Sequence, residues 1–292
     1  MRLNKRLAIP ALAIAAVVAL SGCTDSAETG EDVEAPEVEE TIEFEAGTTM
    51  AALNEAGAIT IGTKFDQPLF GQVDADGDPQ GFDVEIGKLI AAKLGIPEEG
   101  ISWKESPSTS REPFIQSGEV DIVIATYTIN DKRKAIVSFA GPYYNAGQDI
   151  LVLAGNPEGI EGPDDLEGKS VCTAGGSTSE ANLAEYTSSI VTFTGYAECL
   201  APLRDGSVAA VSTDNVILAG LADASGGEFE VVGNPFTEEP YGIGLALEDT
   251  EFRNWINDIL EEAFEDGSWA DAFERTAGTV LPVPDPPTVD RY

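Results

Sequence analysis

Two hydrophobic periods organise this chain. Phe82, Ile86, Leu89, Ile90 and Leu94 recur at i, i+4, i+7, i+8 and i+12, which makes one apolar face on a helix spanning 82–94. Asp83 stands where an N-cap is expected and Gly95 where the helix should stop. Elsewhere short apolar runs end in polar residues, the pattern of strands leading into loops. Ile59-Thr-Ile-Gly-Thr-Lys64 and Lys169-Ser-Val-Cys-Thr-Ala174 form one such pair. A second pair is Gly118-Glu-Val-Asp-Ile-Val-Ile-Ala-Thr126 and Gly206-Ser-Val-Ala-Ala-Val-Ser-Thr-Asp214, each a glycine stop, a strand and a polar end. The stretch 48–276 exceeds the usual size of a single core, so the echo predicts two lobes, each an open α/β sheet. Ligands of such sheets bind beyond the carboxyl ends of the strands, which places Lys64, Thr126 and Asp214 at the mouth of one cleft.

The first residues follow another pattern. Arg2, Lys5 and Arg6 precede an apolar run from Leu7 to Leu20, with Ser21 and Gly22 before Cys23. The run is too short for a membrane span and reads as a secretory signal over residues 1–22. Leu20-Ser-Gly-Cys23 resembles the lipobox of bacterial lipoproteins, which implies a diacylglycerol on Cys23 and anchoring on the outer face of the cell membrane. An ordinary signal peptide with an incidental cysteine is the alternative. Residues 23–47, rich in Glu, Asp, Ala and Thr, read as an acidic flexible linker, and 277–292 as a Pro-rich extended tail.

The formal charge of −36 becomes about −39 once the leader and its three basic residues are removed, which excludes nucleic acid as a partner. Such acidity serves solubility, or a salty habitat, and identifies no ligand. The chain has no histidine, which excludes Ser-His-Asp and Cys-His catalysis and histidine-rich metal sites. With Cys23 assigned to lipid, Cys172 and Cys199 are expected to pair in an oxidising exterior, buried free thiols being the other reading. Asp74, Asp76, Asp78 and Glu85 mimic the spacing of a calcium loop, but Pro79 occupies the sixth place where glycine is required. Asp76-Gly77 is more simply a hairpin turn, and no metal or cofactor is expected.

Beyond these patterns, Gly81-Phe-Asp-Val-Glu-Ile-Gly-Lys-Leu-Ile-Ala-Ala-Lys-Leu94 resembles, position by position, the signature of the family 3 bacterial extracellular solute-binding proteins, with similarity from about Ile59 to Thr276. The resemblance implies a type II periplasmic-binding-protein-like α/β fold. Lobe 1 would be 48–145 with 240–276 and lobe 2 would be 146–239, joined by strands crossing near 147–152 and 241–245. Ala125-Thr-Tyr-Thr-Ile-Asn-Asp-Lys-Arg133, followed by Phe139-Ala-Gly-Pro-Tyr-Tyr144, is similar to the family's amino-acid clamp. It implies Arg133 as the grip on the ligand α-carboxylate, a task suited to a planar guanidinium fork, with Thr126 and Thr128 adding hydrogen bonds. Ser177 and Thr178 are implied as donors to the same carboxylate, and Asp214 as acceptor for the α-ammonium. Without the resemblance, Arg133 reads as a solvated surface charge, Ser177 as a capping turn and Asp214 as an N-cap for a helix from Asn215.

Ile61-Gly-Thr-Lys64-Phe65-Asp66-Gln67-Pro68 resembles binding proteins for glutamate, aspartate or glutamine. Lys64 would meet a second carboxylate, favouring glutamate or aspartate over the amides, and Phe65 would cover the ligand's aliphatic part or belong to the core. The implied protein is a monomer that closes on an amino acid and docks on an ABC permease with its ATPase; it is not an enzyme. An amino-acid sensor of the same anchoring and a cyclohexadienyl dehydratase are the alternatives.

Overall fold

A computed structural model describes residues 36–38 and 42–292 of the 292-residue chain, so Cys23, the leader and most of the acidic linker lie outside the described residues. The fold starts with α1 (Thr49–Ala56) and β1 (Ile59–Thr63), then a small antiparallel sheet of β2 (Asp66–Gln67), β3 (Gly71–Val73) and β4 (Pro79–Gln80). Next come α2 (Phe82–Lys93), β5 (Ile101–Glu105), α3 (Arg111–Ser117), β6 (Ile122–Val123), α4 (Asp131–Lys134), β7 (Ser138–Ala146) and β8 (Gln148–Leu153). The chain continues through β9 (Ser170–Ala174), α5 (Thr178–Leu183), β10 (Ser189–Phe193), α6 (Leu200–Asp205), β11 (Ala210–Asp214), α7 (Asn215–Ala224) and β12 (Phe229–Val231). It ends with β13 (Glu239–Leu245), α8 (Thr250–Asp266) and α9 (Ser268–Arg275).

Two five-stranded sheets carry the fold, in the orders β5-β1-β6-β13-β7 and β10-β9-β11-β8-β12. In each, three parallel strands are followed by one that runs against them and a fifth that pairs antiparallel with the fourth, so the sequence echo is a structural one. The chain passes from the first sheet to the second at Gly147, between β7 and β8, and returns in residues 232–238. The crossings are thus shorter than expected: Gln148–Leu153 lies wholly in the second sheet and Tyr241–Leu245 pairs with β7 in the first. Gly147 admits no side chain there, because a Cβ would stand 2.7 Å from the Thr237 carbonyl oxygen on the returning segment.

The helix read from periodicity forms over Phe82–Lys93, and all five stripe residues are buried. Gly95 closes it in the left-handed region. Asp83, however, is not its N-cap. Gly81 holds that position without a side-chain bond, and Asp83 sits inside the first turn with its carboxylate turned into the protein. Local sequence suggested a cap; tertiary partners, described below, decided otherwise. Gly118 and Gly206 end α3 and α6 in the left-handed conformation, as the repeated pattern implied. Asp74–Asp78 form the turn between β3 and β4, where the Asp74 carboxylate accepts from the amides of Asp76 and Asp78 at 2.9 Å each.

Cys172 on β9 and Cys199 are joined by a disulfide with Cα atoms 5.7 Å apart, which removes the free-thiol reading. The bond lies in the second lobe's core with Leu151, Leu203, Val211 and Phe229. Beyond residue 279 the tail has no regular structure, yet its end is docked on the first lobe. Asp290 donates its amide to the Gly141 carbonyl at 2.8 Å and pairs with Lys134, while Arg291 pairs with Asp258 and Glu261. Among the described residues no helix is long and apolar enough to cross a membrane.

Candidate functional site

The carboxyl ends of β1, β6, β9 and β11 converge, and the polar residues that follow each strand meet between the lobes. On the first lobe, Asn130 caps α4 by accepting the Arg133 amide at 3.0 Å, which fixes the turn bearing the Arg133 side chain. Arg133 is buried, donates from Nη1 to the Thr128 carbonyl at 2.7 Å and sets Nε 3.4 Å from Glu112. Thr126 adopts φ 44°, a left-handed conformation that costs a β-branched residue about 1 kcal/mol. Its hydroxyl lies 2.9 Å from Gln67 Oε1 and 2.8 Å from the Ala125 carbonyl, and its amide donates to Asp83 Oδ2 at 2.8 Å.

The second lobe faces this with α5 and the end of β11. Ser177 caps α5 by accepting the Glu180 amide at 3.0 Å and donates its hydroxyl to the Ala174 carbonyl at 2.7 Å. Thr178 Oγ1 lies 3.5 Å from Thr128 Oγ1 across the cleft. Asp214 occupies the N-cap position of α7 but makes no side-chain cap bond; its Oδ2 accepts from the Tyr241 hydroxyl at 2.6 Å, while the buried Oδ1 has no partner among the described residues. Burial, with help from Glu239, pushes Asp214 up to about 7 against the opposing pull of Tyr241, Arg133 and Arg111. A buried carboxylate oxygen without a hydrogen bond carries an unmet desolvation cost.

Lys64 directly follows β1 and is 2 % exposed. Its Nζ lies 3.3 Å from Ser108 Oγ and 5.6 Å from the Tyr196 ring centroid. Burial and the neighbouring Arg111 lower it to about 8. Arg111 escaped the sequence reading. It is buried on α3, donates to the Ala125 carbonyl at 3.1 Å, packs its guanidinium 4.2 Å from the Tyr127 ring centroid and leaves Nε unpaired. Burial and Arg133 bring it down to about 10, so it remains charged at neutral pH. Among the described residues neither Lys64 nor Arg111 has a carboxylate within ion-pair distance. Gln67, also unforeseen, is fully buried beside Thr126 with its Nε2 unpaired.

Thr128, Arg133, Ser177 and Thr178 line one cavity of about 470 Å³, together with Asn182 and Glu239. Lys64 lines a separate one of about 70 Å³ with Asp66 and Glu105. Phe65, Thr126 and Asp214 line neither; Phe65 is half-buried and its carbonyl accepts the Val73 amide. The lobes also touch directly. Asp66 on β2 reaches over the cleft to accept the amides of Tyr196 at 2.7 Å and Ala197 at 3.4 Å. Gly195 and Gly176 make this approach possible, since a Cβ would stand 2.3 Å from Asp66 Oδ2 and 2.7 Å from Thr109 Cγ2 respectively. Among the described residues no group of three or more acidic or cysteine side chains could hold a metal.

Residues 59–279 match the bacterial extracellular solute-binding proteins, family 3. A glutamate-binding protein of Corynebacterium efficiens is 38% identical over 77% of this chain and 80% of its own length. A glutamine-binding protein of an ABC transporter in Bacillus subtilis is 32% identical over 94% of this chain and 97% of its own. Among solved structures, an ancestral arginine-binding protein bound to glutamine superposes with a TM-score of 0.70 at 35% identity, covering 75% of this chain and 97% of that one. The solute receptor for L-cysteine of Neisseria gonorrhoeae gives a TM-score of 0.74 at 30% identity, with 80% and 96% covered. The two-lobed α/β architecture, the signature helix and these relatives agree: the chain belongs to the family 3 bacterial extracellular solute-binding proteins and has their type II fold, a family of binding proteins rather than enzymes.

Proposed function

We propose that this protein captures an acidic amino acid, glutamate or aspartate ahead of glutamine and asparagine, by closing two lobes on it, and delivers it to an ABC permease and its ATPase. One observation carries the ligand class: Lys64, Arg111 and Arg133 are all buried at the cleft, and among the described residues two of the three have no acidic partner. Taking a cation out of water costs several kcal/mol unless an anion meets it. A ligand with two carboxylates and one ammonium supplies what the site lacks. Arg133, with Thr128, Ser177 and Thr178, takes the α-carboxylate; the free oxygen of Asp214 takes the ammonium; Lys64 and Arg111 take the second carboxylate. Thr126 and Gln67 border the same end, and Phe65, which lines neither cavity, is given no ligand contact. The relatives support the reading, one being a glutamate-binding and one a glutamine-binding protein.

Closure follows from differential contacts, since the two halves of the clamp sit on different lobes and only the closed form offers both. Micromolar capture requires about −8 kcal/mol, within reach of several charge-assisted bonds after ordering costs. The protein acts as a monomer, held outside the cell by lipid on Cys23, with the acidic linker giving it reach. Calorimetry of a soluble form from about Gly47 against the twenty amino acids tests the proposal. Tight binding of glutamate or aspartate that is lost in Arg133→Ala is the expected result, and no binding to any of the panel refutes it.

A further inference from the structure

Asp83 belongs to the signature helix and makes none of the contacts assigned to a ligand. It is fully buried. Packing alone does not call for it, because burying a carboxylate costs free energy that an apolar residue beside Phe82 and Ile86 would avoid. Capping does not call for it either, since Gly81 begins the helix at φ 122°, with a Cβ excluded by the Phe70 carbonyl oxygen at 2.4 Å. Both carboxylate oxygens instead leave the helix. Oδ1 accepts from the Tyr143 hydroxyl on β7 at 2.6 Å, and Oδ2 accepts from the Thr126 amide at 2.8 Å.

Thr126, three residues beyond the end of β6, adopts a left-handed φ of 44°. Such a conformation persists in a β-branched residue only when its surroundings impose it. Two residues later the Thr128 carbonyl holds Arg133 Nη1 at 2.7 Å and its hydroxyl faces Thr178. A path of direct bonds therefore runs from the signature helix to the clamp. We propose that Asp83 is a positioning residue for ligand capture: by holding the Thr126 amide against Tyr143-anchored β7 it fixes the turn that aims Thr126, Thr128 and Arg133. This rests on the amino-acid reading above. It converts the signature aspartate from scaffold into the support of the binding loop, placed on a rigid helix as such supports must be.

The test compares Asp83→Ala, Asp83→Asn and Ile86→Ala, the last a fully buried apolar neighbour on the same helix. Affinity for L-glutamate and L-glutamine, thermal midpoint, and hydrogen exchange of the Thr126 amide are measured on each. Asp83→Ala should bind both ligands about tenfold more weakly or worse, the loss of a hydrogen bond to a charged acceptor expressed in affinity. Asp83→Asn, whose oxygen still accepts from Thr126 while its amide donates to Tyr143, should stay within about threefold of the parent. Ile86→Ala should lose thermal stability while keeping its affinity. Thr126 exchange should be slow in the parent and fast in Asp83→Ala, with or without ligand. Equal affinity in Asp83→Ala, an equal loss in Ile86→Ala, or fast Thr126 exchange in the parent overturns the proposal. If Asp83→Ala does not fold, Asp83→Asn decides with the parent: affinity and Thr126 protection must move together, and either moving alone overturns it. Failure of the parent to bind any amino acid would sink the functional reading, while the Thr126 exchange still reports on Asp83.

Discussion

Gly195→Ala isolates the contribution of direct lobe–lobe contact to affinity. The new Cβ would stand 2.3 Å from Asp66 Oδ2 and 2.9 Å from its Cγ, so the carboxylate must swing away and release the amides of Tyr196 and Ala197. Gly195 is outside the left-handed region, so alanine introduces no backbone strain of its own. One hydrogen bond to a charged group contributes about 1.5–3 kcal/mol, but these groups rehydrate on opening and Asp66 is only half-buried, so about 1–2 kcal/mol is the net loss for the closed state. With the contact confined to the closed form, as the proposed closure requires, the loss enters the affinity of every ligand by the same factor, about 5- to 30-fold. Titration calorimetry gives the affinities and stopped-flow fluorescence the release rates, where most of the change should fall. Glutamate and glutamine should weaken in parallel. Unaltered binding, or a change in the ratio between the two ligands, would refute the idea that Asp66 acts as a latch remote from the ligand.

Affinity for glutamate should peak between about pH 7 and 8. Below 7, Asp214, raised to about 7 by burial and Glu239, binds a proton that the ligand ammonium must displace; above 8, Lys64, lowered to about 8 by burial and Arg111, loses the charge that a second carboxylate needs. Glutamine should share the acid limb but not the alkaline one, and calorimetry across pH 5–9 separates the two. Lys64→Met and Arg111→Met should each move the glutamate-to-glutamine preference toward the amide by about tenfold or more, an unchanged ratio counting against the second-carboxylate assignment. Paired Cys172→Ser and Cys199→Ser replacement opens a loop with a sequence separation of 27 and should cost about 3 kcal/mol, or about 5–10 °C in thermal midpoint by scanning calorimetry.

Much of this molecule is legible in residue order because its signals are local. The stripe from Phe82 to Leu94, the stops at Gly118 and Gly206 and the doubled strand pattern rest on periods and conformations that neighbouring residues dictate. The proposed clamp rests on resemblance rather than local physics: nothing near Arg133 in sequence announces that a four-residue helix, capped by Asn130, will hold it buried. Three features were out of reach. Arg111 lies on a short helix whose polar residues show no period, and its importance comes from burial beside Tyr127 and Lys64. Asp83 has a cap's address but partners 43 and 60 residues away, which no local rule weighs. Gly195 reads as loop punctuation until Asp66 arrives from the other lobe.

The position of β13 also sets an order of assembly. It lies between β6 and β7, antiparallel to both, though more than ninety residues of chain separate it from β7. A chain emerging amino end first therefore presents the parallel trio β5-β1-β6 with its inner edge open until residue 245 appears. The second lobe, whose strands all fall between 148 and 231, can complete its sheet earlier and carries its own disulfide. Pairings this distant in sequence are slow to form, so the second lobe should act as the early-folding nucleus and the first lobe as the late one.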